Sequence, residues 1–416
     1  MQKAGDLSEK KQKEVLRELA SRYMEVCARP EQNERRRLWA LKNSLKPVRP
    51  LIYVRAFAWR EMPDSACVCV DPLFRSIENQ LRQALFIDTF NDDTVMEPWV
   101  TLKAAHRNYG WGIAGERNYS EQDGDGVGAY KEDYPIRALS DVEKLNVPRH
   151  DIDEEATARD LARLEEAVGD IVPVNVNRGP ARGIWAMDIA TDLGHLRGIE
   201  NIMMDMMDNP EWLHSLLGFM RDGILKDHAE TEAAGDFGLA NHYNQAMPYA
   251  QELDPPAANA LGVKRNRLWG YMAAQEYTGV SPAMHEEFLL RYQMPIMEPY
   301  GLVAYGCCED LTRKIDMLRK IPNLRRIAVS PFADVARCAE QIGTDYVISY
   351  RPSPADMVSY RFDPDRVRSI VRRDLEACRG CHVDITLKDV ETVEGDRDRV
   401  RNWTRLVREV VDSIDL

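Results

Sequence analysis

Residues 302–310, Leu302-Val303-Ala304-Tyr305-Gly306-Cys307-Cys308-Glu309-Asp310, decide how this chain is read. The first four are apolar or aromatic, and they form a run short enough for a strand buried on both faces. Gly306 ends the run, and two thiols and two carboxylates follow it. The same pattern repeats outward along the chain. Arg326–Ser330, Tyr346–Ser349 and Val383–Leu387 read as later strands. Trp99–Ala105, Val172–Asn177, Gly238–Tyr243 and Leu268–Ala274 read as earlier ones. Helical segments separate them. Ser281-Pro282 supplies an N-cap and a first-turn proline for a helix ending near Tyr292. Asp334 opens a helix that stops at Gly343, and Asp363-Pro364 opens another toward Ala377. The last helix carries Val400, Trp403, Val407 and Val410 on one side. Strands alternating with helices predict a parallel α/β architecture, and this number of strands predicts a closed (β/α)8 barrel of the TIM type.

Two helices precede the barrel. Residues 7–28 place Val15, Leu16, Leu19, Ala20, Tyr23 and Cys27 on one face, and Glu34 to Leu45 follows as a second helix. The chain is therefore divided into a helical N-terminal extension, 1–49, and a catalytic barrel, 50–416. The extension reads as a cap or as a dimer arm. The run Ile202-Met203-Met204-Asp205-Met206-Met207 reads as core packing by adaptable side chains. Gly124 to Gly128 reads as a flexible loop or lid, because it lacks the strand-before and helix-after setting of a nucleotide loop.

With 55 basic and 68 acidic residues the formal net charge is -13, which argues against a nucleic-acid partner, since phosphates need a basic face. No apolar run approaches the about 20 residues needed to cross a bilayer, and Met1 to Arg17 has no signal-peptide core. A cytoplasmic location is expected. In that reducing setting the 8 cysteines are thiols, and the question becomes which of them are ligands.

Barrels of this type carry their sites at the C-terminal strand ends. Those ends offer His242, Tyr243 and Asn244, then Gln275 and Glu276, then the thiol and acid cluster. Phe332, Tyr350 and Arg351 follow, and the last strand delivers Lys388, Asp389 and Glu391. A divalent metal such as zinc accepts both thiolate and carboxylate. The metal candidates are Cys307, Cys308, Glu309, Asp310 and Glu391. Neighbours on a regular strand point to opposite sides, so an alternate pair, Cys307 with Glu309 or Cys308 with Asp310, suits one ion better. The competing reading is one buried cysteine, one inert thiol and acids stabilising a helix N-terminus. Glu276 is the candidate general acid if burial raises its pKa, with His242 beside it. Tyr243, Tyr305, Phe332 and Tyr350 are candidate pocket walls, with Asn244, Gln275 and Arg351 as polar contacts.

Four stretches carry a resemblance: Tyr305 to Leu311, Ile327 to Asp334, Ser349 to Pro354, and Leu387 to Val393. They are similar to the uroporphyrinogen-decarboxylase-like superfamily, in its branch of corrinoid-dependent methyltransferases, over roughly residues 50 to 413. Classical members hold zinc through His-x-Cys after one strand and a cysteine after the last. Here Cys307-x-Glu309 or Cys308-x-Asp310 stands at the first position, and the last loop offers Asp389 or Glu391 instead of cysteine. A carboxylate-richer site suits an oxygen substrate better than a sulfur one. Within the branch the chain most resembles the methyltransferase component of aryl methyl ether O-demethylases, which act on compounds such as veratrol or guaiacol. A zinc spacing of that group, Asp-x27-Cys-x39-Cys, is reproduced by Asp310, Cys338 and Cys378 as a second choice of ligands. The resemblance implies zinc, a methoxylated aromatic substrate and cobalamin carried by a separate corrinoid protein. Other readings are a methylamine or alcohol methyl donor, a porphyrinogen-type decarboxylase using Arg55 and Arg60, and a non-catalytic ligand-binding barrel.

Overall fold

The computed structural model describes residues 8–119, 130–359 and 361–414. The expected lid at Gly124 to Gly128 lies outside the described residues. The strands are β1 (Leu51–Val54), β2 (Val100–Lys103), β3 (Glu116–Tyr119), β4 (Tyr130–Asp133), β5 (Val174–Asn177), β6 (Trp269–Met272), β7 (Leu302–Tyr305), β8 (Leu324–Val329), β9 (Val347–Tyr350) and β10 (His382–Leu387). Six of them form one parallel sheet in the order β1-β10-β9-β8-β7-β6. β2 pairs with β5 in a second parallel piece, and β3 with β4 in an antiparallel hairpin. The fold is a TIM-type α/β barrel whose wall is not closed by a continuous ladder. The strands β6, β7, β9 and β10 are buried at every residue, as helices on the outside and side chains within require.

The expected strand at Gly238–Tyr243 does not form. The Asn241 backbone N–H donates to the Gly238 carbonyl at 2.8 Å, and the Asn241 side chain takes the Gly238 N–H at 2.7 Å. This local turn competes with a ladder for the same backbone groups. What remains is an isolated antiparallel bridge, Gly238 to Leu261. β1 was not foreseen. Its register against β10 is fixed by strand pairing, and Asp92 and Asp93 accept the Val54 and Ile52 amides on its other side.

Both extension helices form, α1 at Glu9–Cys27 and α2 at Pro30–Asn43. α1 buries Leu16, Leu19, Ala20 and Tyr23 against the helices Pro72–Asp88 and Glu154–Val168. α2 covers the N-terminal ends of the barrel strands. Trp39 Nε1 donates to the Asp93 carbonyl at 2.7 Å, and Asn43 Oδ1 accepts from Arg326 Nη1 at 2.7 Å. Arg326 in turn pairs with Asp384 inside the barrel.

The helix opened by Ser281 runs past Tyr292 to Met297, with a π-helical turn at Glu286–Leu290. The capping by Asp334 and Asp363 is as expected, and each accepts backbone N–H bonds. The methionine run corrects the core expectation. It lies on the helix Ile199–Asp208, which buries Ile202 and Met206 and leaves Met203, Met204 and Met207 on the surface. A single helix on a barrel's outside can bury only one stripe, so a run of consecutive apolar residues cannot all be core.

Candidate active site

Gly306 makes the site possible. It adopts φ +99°, a conformation side chains rarely take, and an added Cβ would lie 2.8 Å from Leu311 Cδ1. The chain therefore leaves the extended conformation directly after β7. The two following side chains no longer point apart. Cys307 Sγ and Cys308 Sγ lie 3.6 Å from each other.

Cys307 is buried, and its sulfur receives Gln245 Nε2 at 3.6 Å. Arg351, also buried, donates from Nη1 to the Cys307 carbonyl at 2.8 Å. Cys308 is partly exposed, and its sulfur faces Lys388 Nζ at 3.0 Å and Asp389 Oδ2 at 3.4 Å. The Lys388 ammonium is also bonded to Asp389. The hydrogen bond from Cys308 pushes the Cys307 thiol down against the opposing effect of burial, and the charges of Arg351 and Lys388 assist. Cys308 is pushed up by the same hydrogen bond. The two sulfurs thus titrate as one unit, with the ionised form favoured at Cys307. Burial alone would lower Lys388, but the Cys307 thiolate and Asp389 outweigh it and hold the ammonium above its usual range. Lys388→Met should therefore move the Cys307 titration upward, followed by thiolate ultraviolet absorbance against pH. An unchanged curve would show that the lysine does not feel the thiolate.

Next to the thiols stands a group of acids, Asp188 and Glu309 buried and Glu276 half-buried. Glu276 lies in the turn Gln275–Tyr277 that follows β6. Burial pushes its carboxyl up to about 7, with Glu309 and Cys307 adding to the effect. Its Oε2 is buried without a hydrogen-bond partner. Gly194, on the helix Ile189–Arg197, lets that helix approach, since a Cβ there would sit 2.8 Å from Glu276 Cγ. Asp188 caps the same helix through the Ala190 and Thr191 amides, and burial pushes it well above the usual carboxylate range. Tyr271 and Trp185 meet edge to face with ring centres 5.7 Å apart, and Gln245 bonds the Tyr271 hydroxyl.

The sequence-derived candidates divide. Cys307, Cys308, Arg351 and Glu276 fall in one charged neighbourhood, with Gln275 opening the turn that carries the glutamate. Glu309 is a brace: its carboxylate accepts the Ala274 and Cys307 amides at 2.8 and 2.7 Å, tying the ends of β6 and β7. Asp310 bonds the Thr312 amide and hydroxyl, and Glu391 is 86% exposed beside Arg60. His242 accepts the amide of Trp269, the first residue of β6, so it belongs at the opposite end, and burial pushes it down to about 4. Tyr243 also bonds Trp269 through its backbone and packs near Tyr300. Asn244 accepts the Ala246 amide in a local turn. Tyr305 and Tyr350 point outward into the helical layer, bonding Gln293 at 2.7 Å and Asp374 at 2.5 Å, and Tyr350 lines a cavity there with Arg351 and Asp374. Phe332 is 76% exposed. Cys338 is buried on a helix and Cys378 in the turn that ends one, and burial pushes their thiols up to about 11 and about 12.

Gln245, Tyr271, Asp188 and Trp185 were not foreseen. Tyr271 is signalled by alternation within β6, and Gln245 sits on a segment whose irregular path hides it.

A zinc ion needs three or four donors converging at about 2.0–2.3 Å. Among the described residues no group of three or more His, Cys, Asp and Glu side chains is so placed. The position between Cys308 and Asp389 is taken by the Lys388 ammonium. The folded residues do not fit the expected zinc, because a lysine already balances their charge.

The fold and site define a class: an α/β barrel with a thiolate, two cations and buried acids at the C-terminal ends of its strands. No family model matches the chain, and no curated protein matches it. Among solved structures it is similar to a methyltransferase from Methanosarcina mazei, with a TM-score of 0.51 and 14% identity. The match covers 90% of this chain and 97% of that one. A likeness at that identity establishes the shared barrel.

Among the described residues, no helix is long and apolar enough to cross a membrane.

Proposed function

We propose that the protein is a methyltransferase that moves a methyl group from a methoxylated aromatic to the cobalamin of a separate corrinoid protein. The reading rests on Glu276, a half-buried carboxyl that keeps its proton near neutrality and has one buried oxygen without a partner. An aryl methyl ether leaves poorly unless its oxygen gains a proton as the bond to carbon breaks. Glu276 is that acid: its proton goes to the ether oxygen, a neutral phenol departs, and the carboxylate is reprotonated from solvent. The corrinoid, when docked, supplies the nucleophile and takes the methyl group. Tyr271 and Trp185 offer an aromatic wall, and Gln245 orients the Tyr271 hydroxyl. The Cys307 thiolate sets the charge of the floor and helps keep Glu276 protonated. The Arg351 guanidinium on the Cys307 carbonyl and the Lys388 ammonium on the Cys308 sulfur hold the pair in place. Likeness to a methyltransferase barrel is in keeping with the reading.

The test is product analysis. Veratrol or guaiacol, reduced cobalamin and the protein should yield the demethylated phenol under anaerobic conditions. Demethylation of methylamine or methanol alone would move the assignment to another donor. Gly194→Ala should displace Glu276 by crowding its Cγ and lower turnover about 100-fold, the loss expected for a misplacement of about 1 Å. Unaltered turnover in that variant would show that the acid's position is not critical.

A further inference from the structure

We propose that Cys307 and Cys308 form a reversible vicinal disulfide, an oxidative modification site at the barrel's mouth. The two sulfurs are already 3.6 Å apart. Cys308 is partly exposed, so a small oxidant reaches the sulfur pair from its side. The turn at Gly306 has brought both side chains to one side, so closure needs rotation of side chains rather than refolding of β7. Neither sulfur is tied up by a set of metal donors among the described residues.

Adjacent residues have Cα atoms about 3.8 Å apart, below the about 4.4–6.8 Å that ordinary disulfides span. A bond made there is strained and readily reduced, which suits a switch better than a brace. Hydrogen peroxide is a sufficient oxidant. The Cys307 sulfur attacks one peroxide oxygen, the O–O bond breaks, and a sulfenic acid and one water result. The Cys308 sulfur then displaces the hydroxyl as a second water and closes the S–S bond. Two thiols are oxidised and one peroxide is reduced to two waters. Closure takes the thiolate from Gln245 and frees Lys388 from Cys308. Under the methyl-transfer reading, the closed form is inactive until a thiol reductant opens it.

The experiment reads the thiols alone, so it stands or falls separately from methyl transfer. The purified full-length protein is treated with hydrogen peroxide, alkylated, digested and analysed by mass spectrometry, with and without dithiothreitol. The peptide carrying both cysteines should lose two hydrogens, resist alkylation and regain both thiols on reduction. In Cys308→Ser the reversible product should vanish, and Cys307 should proceed to irreversible oxyacids. Two thiols still open to alkylation in the treated wild type, or oxyacids formed there directly, would overturn the proposal. So would a reversible disulfide that persists in Cys308→Ser.

Discussion

Glu276→Gln lowers methyl transfer by about 100- to 10,000-fold, the range over which a positioned acid contributes. Glutamine keeps the size and one hydrogen-bond acceptor but cannot give up a proton to a leaving oxygen. The substitution also removes a group whose charge is suppressed rather than used. Burial holds the carboxyl up at about 7, and the fold is already adapted to the neutral form. The variant should therefore fold normally, and substrate binding should change less than turnover. The pH profile carries the same information. A group raised to about 7 is protonated below that value and ionised above it. Turnover of the wild type should be greatest below about pH 7 and fall as the pH rises through it. In Glu276→Gln this limb should be missing. A variant with full turnover, or one that keeps the limb, would assign the acid to another group. Asp188 is the nearest alternative, but its oxygens are engaged by the Ala190 and Thr191 amides and the Thr191 hydroxyl.

Asp384→Ala produces the largest loss of stability. Asp384 and Arg326 are 0% and 2% exposed, and Nη2 and Oδ2 are 2.6 Å apart. Asp384 also accepts from Ser349 and Thr386, and Arg326 donates to Asn43 of α2. The pair thus joins β8, β9 and β10 to the helix that covers the barrel end. Removing the carboxylate leaves a guanidinium buried without a counter-charge, which costs about 3–5 kcal/mol. Burial already pulls the arginine below its usual range, and the loss of Asp384 would leave that penalty unopposed. The double change Arg326→Met with Asp384→Leu should recover most of the loss, because well-packed apolar residues replace such pairs at little cost. Urea denaturation followed by circular dichroism checks both. An unchanged midpoint in Asp384→Ala would mean that the pair is solvated and adds little.

The later strands were legible because short apolar runs between capped helices leave few alternatives. The strands expected at Leu302–Gly306 and Val383–Leu387 form at Leu302–Tyr305 and His382–Leu387, and the caps at Asp334 and Asp363 form as expected. Gly238–Tyr243 misled because side-chain bonding by Asn241 is local chemistry that an apolar pattern does not show. The thiol pair was found, but its geometry was not. Its convergence follows from a single positive φ at Gly306, and spacing arguments assume a regular strand. The expected aromatic wall divides for a related reason. Tyr305 and Tyr350 lie on strands, where residues alternate between the barrel's inside and the helical layer, and a shift of one position reverses the outcome. Glu276 was legible as an acid at a strand end. Its raised pKa needed the fold, because burial beside Glu309 and Cys307 brings together two separate segments.

The most direct measurement is the absorbance spectrum of cob(I)alamin mixed anaerobically with the purified protein and veratrol or guaiacol, recorded for wild type and Glu276→Gln. Wild type should convert it to the spectrum of methylcobalamin, and the variant should do so about 100-fold or more slowly. Equal rates in the two proteins, or no methylcobalamin from any methoxyarene even with corrinoid carrier proteins added, would contradict it.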